Sequence, residues 1–234
     1  MYSYYYAFDP TYMLVIVGLL LTLFASGMVK STFNKYSRVQ SLSGMTGAQA
    51  AQKILNLAGI YDVSVEHING NLTDHYDPRA KVLRLSDTVY GSASVAAIGV
   101  AAHECGHAIQ HQNSYVPLKL RSAIFPVASL GSKLAWPLIL VGVILSMSQT
   151  LIYAGILLFS FAVLFQIVTL PVEFNASRRA VKILNESGIL YEDEVGMTKK
   201  VLSAAALTYV AGAAASILQL LRLLLLFGGR DRDR

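Results

Sequence analysis

The clearest pattern in the chain is the alternation of long uncharged runs with polar stretches. No charged residue occurs from Pro10 to Val29, between Asp9 and Lys30. About 20 residues at ~1.5 Å rise match a hydrocarbon core of about 30 Å, so residues 11–29 are predicted to span a membrane. A second uncharged run, Leu134 to Val172, is about 58 Å long if helical, roughly two membrane thicknesses. Its weak polar cluster, Ser146 to Thr150, marks a turn, which predicts a hairpin of helices at about 130–147 and 150–171. A fourth candidate, Val201 to Leu221, is richer in alanine and continues through Arg222 to Phe227 before Gly228–Gly229. It reads either as a fourth span or as a membrane-buried helix that stays on one side.

Between the first span and the hairpin the periodicity changes. Thr46 precedes apolar positions Ala50, Ile54, Leu57 and Ala58 at helical spacing, with Gly59 after them, which predicts a capped helix at 47–58. Val63 to Ile68 alternates at period two, Asn69–Gly70 is a turn signal, and Lys81 to Ser86 resumes β character after Asp77–Pro78. Two or three short antiparallel strands are expected, and Lys81–Ser86 could accept an extended peptide by backbone pairing. Ser92 to Gln112, rich in Ala, Val, Ile and Gly and without proline, reads as a buried helix. The segment Ala51–Ile60 partly repeats at Ala180–Ile189, and glycine capping of a helix end explains the shared letters better than duplication does.

Composition agrees with a membrane protein. Hydrophobic residues make up 54% and charged residues 14% of the 234, against about 25% charged in soluble domains. The single cysteine, Cys105, excludes an intrachain disulfide. No positive charge precedes the first apolar run, so it reads as a retained anchor, and Tyr2, Tyr4, Tyr5, Tyr6 and Tyr12 suit an aromatic belt. Lys30, Lys35, Arg38 and Lys53 follow the first span, Lys119, Arg121 and Lys133 precede the hairpin, and Arg178, Arg179 and Lys182 follow it. The positive-inside rule places these segments in the cytoplasm. These loop charges account for the net charge of +5, and no basic and aromatic stripe points to nucleic acid.

The expected class is a mainly α polytopic membrane protein with a small antiparallel β element. Its expected parts are an anchor at 1–29, a cytoplasmic catalytic segment at 30–121, a transmembrane hairpin at 122–172, a third-ligand helix and loop at 173–200, and a membrane-associated or spanning helix with a charged tail at 201–234.

The chemistry concentrates at His103-Glu-Cys-Gly-His107. Residues four apart share a helix face, so both imidazoles can reach one ion, and Glu104 beside that face can act as base toward water. Buried histidines and a buried carboxylate are costly unless paired, which favours a metal site over a packing role. Catalytic zinc usually takes three protein ligands. The long pattern with a third histidine fails, because Gln110 and Asn113 stand where Gly and His would be needed. A glutamate from a second helix is the natural choice. Glu173, the first charged residue after the hairpin, returns to the same membrane face as the histidines, whereas Glu66, Glu186, Glu192 and Glu194 read as solvated charges. Tyr209, Arg178 or Arg179 could donate to the developing oxyanion, and His111 could contact substrate. His75 reads as surface, and Cys105 as packed.

These residues resemble a family. His103 to His107 with Ala108-Ile-Gln-His111, Leu72 to Pro78, Asp9 to Tyr12 and Lys30 to Tyr36 are similar to the YugP-type neutral zinc metallopeptidases of bacterial membranes, over essentially the whole chain. More distantly the helix pair resembles gluzincins of the HtpX type, in which the third ligand is a glutamate on a later helix. The resemblance implies Zn2+, with Glu173 as its third ligand, and a polypeptide substrate. The HtpX-type pattern Glu-x-x-Ala-Asp departs here, since Ser177 stands at the position of the aspartate. The reading is a zinc-dependent endopeptidase of a bacterial cell membrane, acting on membrane or membrane-proximal polypeptides from the cytoplasmic side. Its rivals are another membrane zinc amide hydrolase and a non-enzymatic scaffold braced by zinc. Oligomeric state is not legible.

Overall fold

The computed structural model describes residues 9–228. The tyrosines at 2, 4, 5 and 6 and the terminal Arg-Asp-Arg-Asp-Arg lie outside the described residues. Six helices and three strands follow in the order α1 (Tyr12–Tyr36), α2 (Gly47–Leu57), β1 (Ser64–Ile68), β2 (His75–Asp77), β3 (Val82–Ser86), α3 (Val95–Gln112), α4 (Val116–Ile144), α5 (Gln149–Glu186) and α6 (Glu192–Phe227). The protein is a mainly α polytopic membrane protein with a small β element. Helices α1, α4, α5 and α6 are each long and apolar enough to cross a membrane. The chain forms two compact units.

One unit comprises residues 9–24, 121–168 and 210–228. Its helices leave large apolar side chains exposed, among them Leu20, Leu23, Phe24, Leu140 and Leu157, as a lipid-facing surface requires. Small residues bring the helices together: Gly155 packs against Ala135 and Ile139, and Gly18 against Ala215. The hairpin turn falls at Leu145 to Ser148, where Ser146 and Met147 take positive φ, so the weak polar cluster marked it correctly. At the other end of the chain, Arg222 lies 4.3 Å from the Tyr12 ring centroid, and its Nε donates to Thr11 Oγ1 at 3.3 Å. The C-terminal end of α6 therefore lies beside the N-terminal end of α1, and the two helices run antiparallel.

The other unit comprises residues 25–120 and 169–209. Thr46 caps α2 with a full capping box through Gln49, and Gly59 ends it at φ 70°. Gly188 does the same after α5 at φ 62°, and the following Ile60 and Ile189 are both buried, which supports capping as the source of the repeated letters. Ser94 caps α3, whose 18 residues include 12 buried ones, so it is the central helix of this unit. Around it pack Ile54 and Leu55 of α2, Leu83 and Leu85 of β3, and Leu184 of α5, all fully buried. Each such side chain contributes about 1.5–3 kcal/mol on burial.

The sheet has strand order β1-β3-β2 and is mixed. β2 and β3 form the expected antiparallel pair, joined through a turn in which Asp77 Oδ1 accepts from the backbone N–H groups of Arg79 and Ala80. β1 instead pairs with β3 in parallel. The Asn69–Gly70 bend is tied to Asp87, which accepts from Gly70 N–H and donates its own N–H to Gly70 O, so the chain turns across β3 and returns on its far side. β3 is consequently central and paired on both sides. It has no edge left for an extended peptide, contrary to the expectation for Lys81–Ser86.

The approach of α3 to α5 depends on Gly106. A Cβ there would come within 2.6 Å of Ala176 O and 3.1 Å of Ala176 Cα. Gly106→Ala should lower stability by about 1–3 kcal/mol despite the better helix propensity of alanine, because the obstacle is backbone. Gly91→Ala, with open space around it, should change the melting temperature little. Melting curves of the two variants in detergent check this.

Candidate metal centre

His103 and His107 lie one turn apart on α3, and their rings meet edge to face at 4.8 Å between centroids. Across from them stands Glu173 of α5. Its Oε2 is 3.2 Å from His103 Nε2 and 3.5 Å from His107 Nε2. One ligand atom from each of the three residues lies within 4.8 Å of the others. A tetrahedral zinc with ligands at about 2.0–2.1 Å separates its donors by roughly 3.3 Å, so the donor types and the two distances from Glu173 Oε2 match such an ion. Glu173 is buried, and the histidines are nearly so. Two imidazoles and a carboxylate aimed at one point in an apolar surround have a reason to be there if they share a cation.

The partners of the two imidazole rings come from the same two helices. Ser177 Oγ lies 3.1 Å from His103 Nδ1, occupying the place where the HtpX-type pattern has a carboxylate. Gln110 Oε1 lies 3.0 Å from His107 Nδ1. In the sequence Gln110 stands out only as the residue at a position where the third-histidine pattern needs glycine. Its position seven residues after His103 is on the same helix face and could have suggested a role.

Glu104 sits beside the histidines, buried, with Oε2 accepting the Tyr76 backbone N–H at 3.1 Å. Burial pushes its carboxyl above the ordinary glutamate range, while the nearby His107 and His103 pull the other way. Strand β2 is in turn held by Asp74, which accepts from Ser86 N–H at 2.8 Å and from the Ser86 hydroxyl. Thus the β element positions the carboxylate of Glu104 through a backbone donor.

His111 is exposed one turn beyond His107, and its Nδ1 is 2.9 Å from the Tyr76 hydroxyl. Tyr209 is half-buried on α6. Arg178 is exposed on α5, and Arg179 donates to Asn175 Oδ1 at 2.8 Å. His75 accompanies Arg84 on the sheet. Cys105 is buried with its Sγ toward Ala51 O, and burial pushes its thiol well up, as a packed residue should show. Glu66 faces Arg84, and Glu186 faces Lys182. Glu194, read from sequence as solvated, is buried, and its carboxylate accepts from Leu42 N–H and Tyr191 N–H. Those bonds cap the start of α6 and tie down the loop after α1, a long-range partnership invisible along the chain.

A family model described as "Putative neutral zinc metallopeptidase" matches residues 11–228. The chain is 52% identical over 221 residues to the "Putative membrane protease YugP" of Bacillus subtilis (strain 168), covering 94% of this chain and 98% of that protein. No solved structure gives a significant match.

Glu173→Ala should lower zinc affinity by more than about 100-fold, beyond what loss of an outer partner produces. Glu186→Ala, on the same helix but paired with Lys182, should leave it unchanged. Competition with a fluorescent zinc chelator on the purified proteins measures both.

Proposed function

The chain belongs to the neutral zinc metallopeptidase family, and we propose that it is a membrane zinc endopeptidase in which His103, His107 and Glu173 hold the ion and Glu104 moves the proton. The observation that carries this reading is the convergence of the three donors with a buried, backbone-anchored glutamate next to them. Zinc bound there would supply Lewis acidity toward a peptide carbonyl and lower the pKa of water. With Glu104 Oε2 held by Tyr76 N–H, Oε1 is the atom that takes a proton from the attacking water and returns it to the departing amine nitrogen. Among the described residues, three protein donors favour a catalytic site over a structural brace, which closes its coordination with four.

Membrane and membrane-proximal polypeptides are the substrates this reading supports, given four helices fit to cross a bilayer. The lysines and arginines after α1, before α4 and after Glu173 favour a cytoplasmic catalytic segment in a bacterial cell membrane. The antiparallel pairing of α1 and α6 supports α6 as a fourth span, ending on the side where α1 begins.

Two measurements test the reading. Glu104→Gln should keep its zinc and lose at least about 100-fold in cleavage of an unfolded protein, the scale of a positioned acid–base group. Equal cleavage by both forms rejects the peptidase. For orientation, a membrane-impermeant maleimide on intact cells should label Gln149→Cys but not Asn185→Cys, each in a Cys105→Ala background. The opposite labelling would reverse the assignment.

A further inference from the structure

Gln110 is fully buried on α3 and makes three polar contacts. Its Oε1 is 3.0 Å from His107 Nδ1, its Nε2 donates to Val172 O at 2.7 Å, and the same nitrogen donates to Asn175 Oδ1 at 3.0 Å. The chemistry of the partners decides which end of the amide points where. A backbone carbonyl only accepts, so the atom facing Val172 O has to be the amide nitrogen. The far end of the chain of contacts gives the same answer independently. Arg179 Nε–H only donates, so the Asn175 atom 2.8 Å away is its oxygen. That same oxygen faces Gln110, which again must present nitrogen to it. With both amide hydrogens committed, Gln110 offers His107 an oxygen, which can only accept. His107 Nδ1 therefore carries the hydrogen, and its lone pair is on Nε2, the atom 3.5 Å from Glu173 Oε2.

We propose that Gln110 is a positioning residue that fixes the tautomer and ring orientation of His107, and that Arg179, through Asn175, fixes Gln110. This inference rests on the zinc reading of the site. It also assigns different duties to the two histidines. The Ser177 hydroxyl can donate or accept, so it orients His103 without dictating where the hydrogen sits. His107 is held by an amide that has no second choice. Val172 and Asn175, which hold Gln110, flank Glu173 on α5, and Arg179 lies further along the same helix, so the helix that brings the third donor also sets the tautomer of the second.

The test uses the full chain in detergent with Glu104→Gln as parent, which keeps the readout independent of cleavage. Zinc affinity is measured by chelator competition, and the visible spectrum of the cobalt-loaded protein reports ligand geometry. Gln110→Met should weaken zinc by about 10- to 100-fold and alter the cobalt spectrum. Asn175→Leu, which removes the shared oxygen, should do the same, whereas Asn175→Asp, which keeps an oxygen for both Arg179 and Gln110, should restore affinity to within about threefold of the parent. Should Gln110→Met fail to fold, the Asn175 pair alone decides. Parental zinc affinity and spectrum in Gln110→Met or Asn175→Leu would overturn the relay, and so would equal losses in Asn175→Leu and Asn175→Asp. A parent that binds no zinc at all would overturn the peptidase reading and the relay together, an outcome distinct from either of these.

Discussion

The contact of two helix backbones at Gly106 and Ala176 is the constraint on which the site depends. Gly106 lies between His103 and His107 on one face of α3, and Ala176 lies between Glu173 and Ser177 on the facing side of α5. The point of closest approach is therefore also the middle of the donor set. Only a short separation lets a glutamate side chain reach both imidazoles at 3.2 and 3.5 Å while a serine one turn further reaches the back of one ring. Held on rigid helices in this way, the donors need little reorganisation to meet an ion.

The polar groups behind the donors are neutral. A buried carboxylate commonly supports a zinc-bound histidine, yet here a serine and a glutamine take that place. The physical reason lies in the charges already present. Glu104 and Glu173 both sit in the same buried surround, and a third carboxylate would add like-charge repulsion and a further desolvation penalty. Neutral partners hold the rings in place without that cost, although they do less to raise imidazole basicity. The one cation in the relay, Arg179, acts at a distance through Asn175 and leaves the donor set uncrowded.

The β element serves the site indirectly. It is too small to form a core of its own, and its inner strand is paired on both sides. What it contributes is a backbone N–H at Tyr76 that anchors Glu104, and a tyrosine hydroxyl beside His111. The main-chain donor holds one oxygen of this carboxylate on the β2 side, apart from Glu173.

The lengths of the uncharged runs, the capped helix after Thr46 and the helix carrying His103, Glu104 and His107 were legible in the sequence. Each rests on local chemistry: the thickness of a bilayer, a side chain bonding its own helix end, and residues four apart sharing a face. The meeting of Glu173 with the two histidines was also within reach, as the first charged residue after the hairpin. Pairing beyond the local chain was not legible. The parallel union of β1 with β3, the burial of Glu194 under two backbone donors and the orientation of Gln110 by residues more than 60 positions away arise only when distant segments meet. A hydrogen bond between remote residues leaves no periodic trace along the chain, so tertiary structure alone decided what surrounds the motif that the sequence announced.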